Sequence, residues 1–338
     1  MTAPERTTII QHTQAEWGRL LGEAGNQGTK FGAWPRELNE DPAAAFNRHH
    51  LEMLALLQQH GRPGVMLFVV SPRGLVGHAW AATTDRLRTV SIGRHSSCQF
   101  PLGASEFVSL RQVLVLVGRA GDPWRARVID LSTEWGFSDE TGFRHRHVAF
   151  DRVAVLGVPG FWLFFLVTGT GLRWNPAEAS PWDTLVPREY RLESSVERAR
   201  PRLPRREERE RSLVTSFRAP LGFWSRELVQ AGESSDGALV IRTAQSVGRF
   251  AVGPDALERG VLLGRDPRCG SLGFRLPGTV SRVHGLVLGV GGEVFLADAG
   301  STNGIWSGRA PVRIARMDSG QVFRLGPDAV EVEWLPAN

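Results

Sequence analysis

Two stretches of this chain carry the same landmarks in the same order. "SIGRHSSCQFPL" (91–102) lines up with "LLGRDPRCGSLGFRLP" (262–277), so that Cys98 stands four residues after Arg94 and Cys269 four after Arg265. "VSLRQ" (108–112) matches "VSRVH" (280–284), and "DLSTEWG" (130–136) matches "DAGSTNG" (298–304). Leu156-Gly157 then answers Leu325-Gly326. A shorter echo precedes each copy: "GAWPREL" (32–38) and "GFWSREL" (222–228) share five of seven residues. One architecture must therefore accommodate both copies, and any difference between them at a landmark carries information about function.

That architecture is mainly β. Short runs bounded by Gly, Pro or Asp fill both copies: "VMLFVV", "RQVLVLVG" and "FWLFFLV" in the first, "GALVIRT", "HGLVLGV" and "EVFLAD" in the second. Such runs predict a pair of sandwiches in tandem. Before them, "DPAAAFNRHHLEMLALLQQHG" predicts a helix with Asp41 as N-cap, Pro42 at its first position and Gly61 past its end. Phe46, His50, Met53, Leu54 and Leu57 share one face of it. The expected organisation is an N-terminal arm with this helix (1–62), a degenerate sandwich (63–172), an Arg-, Glu- and Pro-rich connector with a short helical segment (173–236) and a second sandwich (237–338).

Composition removes several alternatives. The chain has 338 residues, 40 basic against 35 acidic, and Lys30 is its only lysine. Lys30 sits in "GTKF", so a phosphate-binding Gly-Lys-Ser/Thr loop, a protein-kinase site and a lysine Schiff base are all disfavoured. The arginine run "ERARPRLPRREERER" (197–211) is interleaved with Glu and lacks aromatics, which fits a solvated linker and not a nucleic-acid track. Cys98 and Cys269 form no CxxC pair, and the histidines form no HExxH, so no metal or cofactor is expected. His49, His50, His145 and His147 are expected at the surface or in packing. Residues 153–172 hold no charge over twenty residues, but Pro159-Gly160 and the glycines around it predict strand, turn, strand, and no membrane span. No apolar run of a secretory leader follows "MTAPERTTII", so a cytoplasmic protein is expected.

Taken together, Gly264-Arg265, Ser281-x-x-His284 and Gly300-Ser-Thr-Asn-Gly304 resemble the forkhead-associated (FHA) domain. The spacing of 16 residues from Arg265 to Ser281 and 22 from Ser281 to Asn303 belongs to the resemblance, which covers about residues 237–338. "STNG" in isolation reads equally as a hairpin turn. The resemblance implies a β-sandwich whose loops at one end bind a phosphothreonine peptide. It implies phosphate-side roles for Arg265, Ser281, Arg282 and Thr302, a peptide-side role for Asn303, and a bracing role for His284. Side-chain chemistry agrees. An arginine fork gives a phosphate two parallel charge-assisted bonds, Ser and Thr add hydroxyls, and an Asn amide can hold an extended backbone. Gly264 and Gly304 are expected to serve turn geometry.

The first copy keeps Arg94 and Ser109 but has Gln112 in place of the histidine. Read without a gap, Glu134 takes the place of Thr302 and Trp135 that of Asn303; slipped by one, Glu134 replaces Asn303. Either way a carboxylate approaches the phosphate position and opposes binding, and an Arg94–Glu134 pair is expected. Val330, Val332 and Trp334 are expected to face inward and Glu331 and Glu333 outward, whereas the first copy has Trp162 and Phe164 at the matching outward positions. That apolar face needs a cover: the N-terminal helix, the connector or a second chain. The expected function is a non-enzymatic adaptor reading phosphothreonine proteins downstream of a Ser/Thr protein kinase. The alternative is a phosphate-independent structural scaffold that uses both sandwiches for protein-protein assembly, and self-association through the first repeat is a further expectation. Thr7, Thr8, Thr184 and Thr215 are expected in mobile segments, where phosphorylation could turn one of them into an internal ligand.

Overall fold

The computed structural model describes residues 8–11, 40–103, 107–131, 133–169, 172, 175–192, 211–223, 225–269, 276–327 and 330–337. The 197–211 charge run (except Arg211), Lys30, Thr7 and the "GAWPREL" echo lie outside them.

Each repeat is a two-sheet sandwich. In the first, one seven-stranded sheet runs in the order 8–11, 74–82, 64–71, 161–168, 153–158, 137–139, 144–145. Its partner runs 188–192, 212–217, 147–150, 126–130, 113–117, 88–93, 100–101. The second repeat follows the same scheme with six strands (247–252, 237–242, 331–336, 322–325, 305–307, 310–312) over five (221–222, 261–263, 285–290, 293–298, 314–316). The uncharged stretch forms the antiparallel pair Val153–Val158 and Phe161–Thr168, turning at Pro159-Gly160. Among the described residues no helix is long and apolar enough to cross a membrane. The segment expected as a connector also supplies strands to both sandwiches: Ser212–Phe217 pairs with His147–Phe150, and Leu221–Gly222 with Val261–Leu263.

Alternation decides where each side chain goes. In "VLVLV", Val113, Val115 and Val117 point into the core of the first sandwich, together with Val128 and Phe150. Leu114 and Leu116 point the other way, and with Leu87 and Ile129 they join the core of the second repeat, beside Leu257, Leu286 and Leu288. A strand buried on both faces reads as a continuous apolar run. Here the second face is the other repeat. Arg119 adds an ion pair to Glu293, and Arg127 donates to the carbonyls of Gly289 (3.3 Å) and Glu258. The repeats are thus packed sheet against sheet.

The Trp162/Phe164 face is covered from within the chain. The helix Pro42–Gln59 is capped by the Asp41 carboxylate, which accepts from the Ala44 N–H at 2.9 Å. It lays Phe46 on Phe164 (ring centroids 5.8 Å apart) and on Trp182 of the connector helix Pro181–Thr184. Trp162 donates its indole N–H to the Glu40 carbonyl at 2.7 Å, and Phe164 is fully buried. Of the three covers expected for Trp162 and Phe164, the helix and the connector together supply it, and the second chain is not needed. Phe164→Ala opens a void in this layer and is expected to lower stability by about 3–5 kcal/mol in urea denaturation.

Three of the threonines expected in mobile segments lie in regular elements. Thr8 belongs to a strand, Thr215 is paired with Ala149, and Thr184 closes the connector helix and donates to the Pro181 carbonyl at 2.9 Å. That removes the reason for choosing them as internal ligands.

Candidate functional site

The site forms where three loops of the second repeat meet. Gly264 to Asp266 leave the strand Val261–Leu263, residues 278–284 lead into Gly285–Val290, and residues 299–304 follow Glu293–Asp298. Their backbones are tied together. The Arg265 N–H donates to the Ser281 carbonyl (3.3 Å), and the His284 N–H to that of Leu263 (2.7 Å). A Cβ on Gly264 would lie 2.0 Å from the Arg282 carbonyl oxygen, so the Gly is required by close approach of two backbones, not by φ. Gly304, at φ +72°, does serve turn geometry.

His284 is the buried brace. Its Nδ1 accepts from the Ser281 N–H (3.1 Å), and its Nε2–H donates to the Gly304 carbonyl (2.9 Å), joining the second loop to the third. Burial holds its pKa below 6.5. The Ser281 hydroxyl accepts the Thr302 N–H at 3.1 Å. Asn303 donates from Nδ2 to the Thr279 carbonyl at 2.7 Å, which leaves its Oδ1 for another group. Arg265 donates from Nε to the Val280 carbonyl at 2.9 Å. Arg265, Arg282 and Thr302 are exposed around Ser281. The five residues expected on the ligand side therefore stand on these three joined loops.

The first repeat reproduces the loop-joining bonds and the central brace of this frame. Arg94 N–H donates to the Ser109 carbonyl (3.1 Å), and Gln112 N–H to that of Ile92 (2.8 Å). Gln112 takes the place of His284: its Oε1 accepts from the Ser109 N–H (2.9 Å) and its Nε2 donates to the Gly136 carbonyl (2.9 Å). Asp130 and Arg146 pair at 2.8 Å as Asp298 and Arg313 do at 2.7 Å. The Cys98 and Cys269 thiols donate to the Leu110 and Arg282 carbonyls at 3.4 and 3.5 Å, and burial raises their pKa values to about 11 and about 12. The Thr133 hydroxyl accepts from the Gly136 N–H as the Ser301 hydroxyl does from Gly304. The ungapped reading therefore holds: Glu134 stands at the position of Thr302 and Trp135 at that of Asn303. The expected Arg94–Glu134 pair is absent among the described residues, and Trp135 instead lies under the Arg144 guanidinium at 5.3 Å.

Sequence reasoning missed two features. Arg111 of the first repeat reaches the site of the second. The signal was present, because an arginine faces Val283 in the alignment of the two copies. The other is a buried brace in the first sandwich, where His145 links Ser216 and Asp139 at 2.8 Å each. All three side chains are buried, and Asp139 also accepts from Thr141, so the trio ties strands together.

His147 is also held far below 6.5, by full burial and then by Arg127, whose Nε donates to His147 Nε2 at 2.9 Å. His284 and His147 both have folded pKa values below their unfolded ones. The unfolded chain therefore takes up more protons below pH 6.5, and stability present above that pH is lost as it falls. Calorimetry is expected to show a flat melting temperature from about pH 8 to 7 and a decline below about 6.5.

A two-sheet sandwich with these loops at one end defines a protein-interaction module. Residues 261–326 match the family model of the FHA domain, which marks the second repeat as a forkhead-associated domain. Similar solved structures include the FHA-1 domain of Rv1747 from Mycobacterium tuberculosis. It is 24% identical, covering 31% of this chain and 100% of that one, with a TM-score of 0.25. The FhaA FHA domain, solved with the intracellular domain of Rv3910, is 30% identical over 29% of this chain and 98% of that one, with a TM-score of 0.24. Comparison with curated proteins gives no match.

Proposed function

We propose that the chain is a non-enzymatic reader of phosphothreonine, an adaptor that docks phosphorylated proteins through its second repeat. The carrying observation is that Arg265, Ser281, Arg282, Thr302 and Asn303 stand on three loops that are hydrogen-bonded to one another. Their donors match a phosphate dianion, and its arrival makes binding switchable. In this reading Arg265, Ser281, Arg282 and Thr302 hold the phosphate, Asn303 holds the peptide backbone, and Gly264, His284 and Gly304 keep the loops in register. A Ser/Thr kinase supplies the mark, and the cytoplasm, where kinases find ATP, is the place of work. The first repeat, with Glu134 and Trp135 where the second has Thr302 and Asn303, does not read phosphate. The phosphate-independent scaffold loses its main support, because the face it relied on is covered by the chain's own helix. The test is an oriented phosphothreonine peptide library on the full chain, with Arg265→Ala as control. Retention of the same peptides by both forms would refute the reading.

A further inference from the structure

The turn "GSTNG" of the second repeat rests on the first. The Gly300 carbonyl accepts from the Ser97 hydroxyl at 2.6 Å and from Arg111 Nε at 2.7 Å. A Cβ on Gly300 would lie 2.9 Å from the Ser91 hydroxyl, so a larger residue would have to displace that side chain. Held by its Nε, Arg111 turns its other edge toward the site. Its Nη2 lies 3.4 Å from the Ser281 hydroxyl and 3.4 Å from the Thr302 hydroxyl, the two hydroxyls expected on the phosphate. It also lies 3.5 Å from the Ser97 hydroxyl.

Arg111 is 8% exposed, and among the described residues no carboxylate lies within ion-pair distance of it. The acid that acts on it from nearby, Asp298, is paired with Arg313 at 2.7 Å. Arg282, also nearby, adds positive charge. Burial accordingly pulls the Arg111 pKa down. A buried cation whose partners are neutral hydroxyls and a carbonyl is costly, and a dianion at its inner edge would offset that cost. The second repeat has Val283 at the equivalent position, packed in its core. The first copy thus carries an arginine where the frame requires only an apolar side chain, and it points that arginine out of its own sandwich.

We infer that Arg111 of the first repeat is a phosphate ligand of the second repeat's site, so that the binding site is built by both repeats together. This rests on the phosphothreonine reading above and adds to it a residue from a different sandwich. The phosphate would be gripped from one side by Arg265 and Arg282 and from the other by Arg111. The first repeat then serves to present this guanidinium, and the sheet-to-sheet packing fixes its position.

The test uses the full chain, a degenerate fluorescent phosphothreonine peptide pool, the same pool unphosphorylated, and thermal melting without ligand. Arg111→Met keeps an unbranched apolar stem about as far as the Nε position and removes the guanidinium with its charge. It is expected to weaken phosphopeptide binding about tenfold or more, while the ligand-free melting temperature stays level or rises because a buried charge is gone. An affinity within about twofold of the parent overturns the inference, as does tighter binding, which would make Arg111 a plug. If Arg265→Ala abolishes binding while Arg111→Met leaves it intact, this inference alone fails. If the parent chain binds neither pool, the phosphothreonine reading fails and takes the inference with it. Should Arg111→Met not fold, Arg111→Lys is read in the same assay. Loss of the planar fork is expected to weaken binding at least about threefold, and unchanged affinity overturns the inference.

Discussion

Arg265→Ala is expected to reduce affinity for phosphothreonine peptides about 100-fold and to leave the fold intact. The two halves of that expectation have separate causes. The guanidinium is exposed at the rim, and its Nε bond to the Val280 carbonyl orients it without burying it. Its backbone N–H, which ties the loop to Ser281, is unaffected by truncation of the side chain. Removing the fork therefore costs mainly the charge-assisted bonds to the ligand. Arg265→Lys is expected to fall between the two, because a point charge cannot reproduce two parallel bonds. Fluorescence anisotropy with phosphorylated and unphosphorylated pools measures both variants. Equal binding of the phosphorylated pool by Arg265→Ala and the parent would contradict the assignment.

The second large effect concerns His284, and here the chain contains its own control. His284→Ala leaves the Ser281 N–H and the Gly304 carbonyl with one partner fewer inside the protein and opens a void. It is expected to cost about 2–4 kcal/mol and to loosen the site. His284→Gln should retain most of that stability, because Gln112 already makes both bonds at the equivalent place, each at 2.9 Å. A chemical denaturation series on the three forms decides the matter. If the Gln variant is as unstable as the Ala variant, the imidazole does more than bridge the two loops. With Gln the bridge also no longer titrates, so part of the decline expected below about pH 6.5 should disappear from the pH profile.

Much of the fold was legible in the sequence because it depends on local rules. Strand runs alternate or stay apolar according to how many faces they bury, and Val330, Val332 and Trp334 are buried as that rule requires. Pro159-Gly160, between the strands Val153–Val158 and Phe161–Thr168, stops a helix from forming whatever lies around it. The paired landmarks were also readable, since Asp298, Ser301 and Gly304 act within one turn, and so do Asp130, Thr133 and Gly136. What covered Trp162 and Phe164 could not be read. The sequence required a cover and offered three, and only the packing of Phe46 and Trp182 selected between them. Arg94 and Glu134 misled for a similar reason. Opposite charges in matching loops make a pair plausible, but the distance between the loops is set by the sandwich.

The sequence by itself determined that one unit occurs twice, that its second copy keeps a full set of side chains with phosphate-binding chemistry, and that the first copy's turn lacks the Asn and carries Glu134. These follow from residue type and spacing along the chain. Only the tertiary structure decided that the two units share a core through Leu114, Leu116 and Leu286, and that Arg111 crosses from one into the site of the other. The Arg111 contacts join residues 170 and 191 positions apart. No local pattern encodes them, because they depend on which face of a doubly apolar strand meets which sheet.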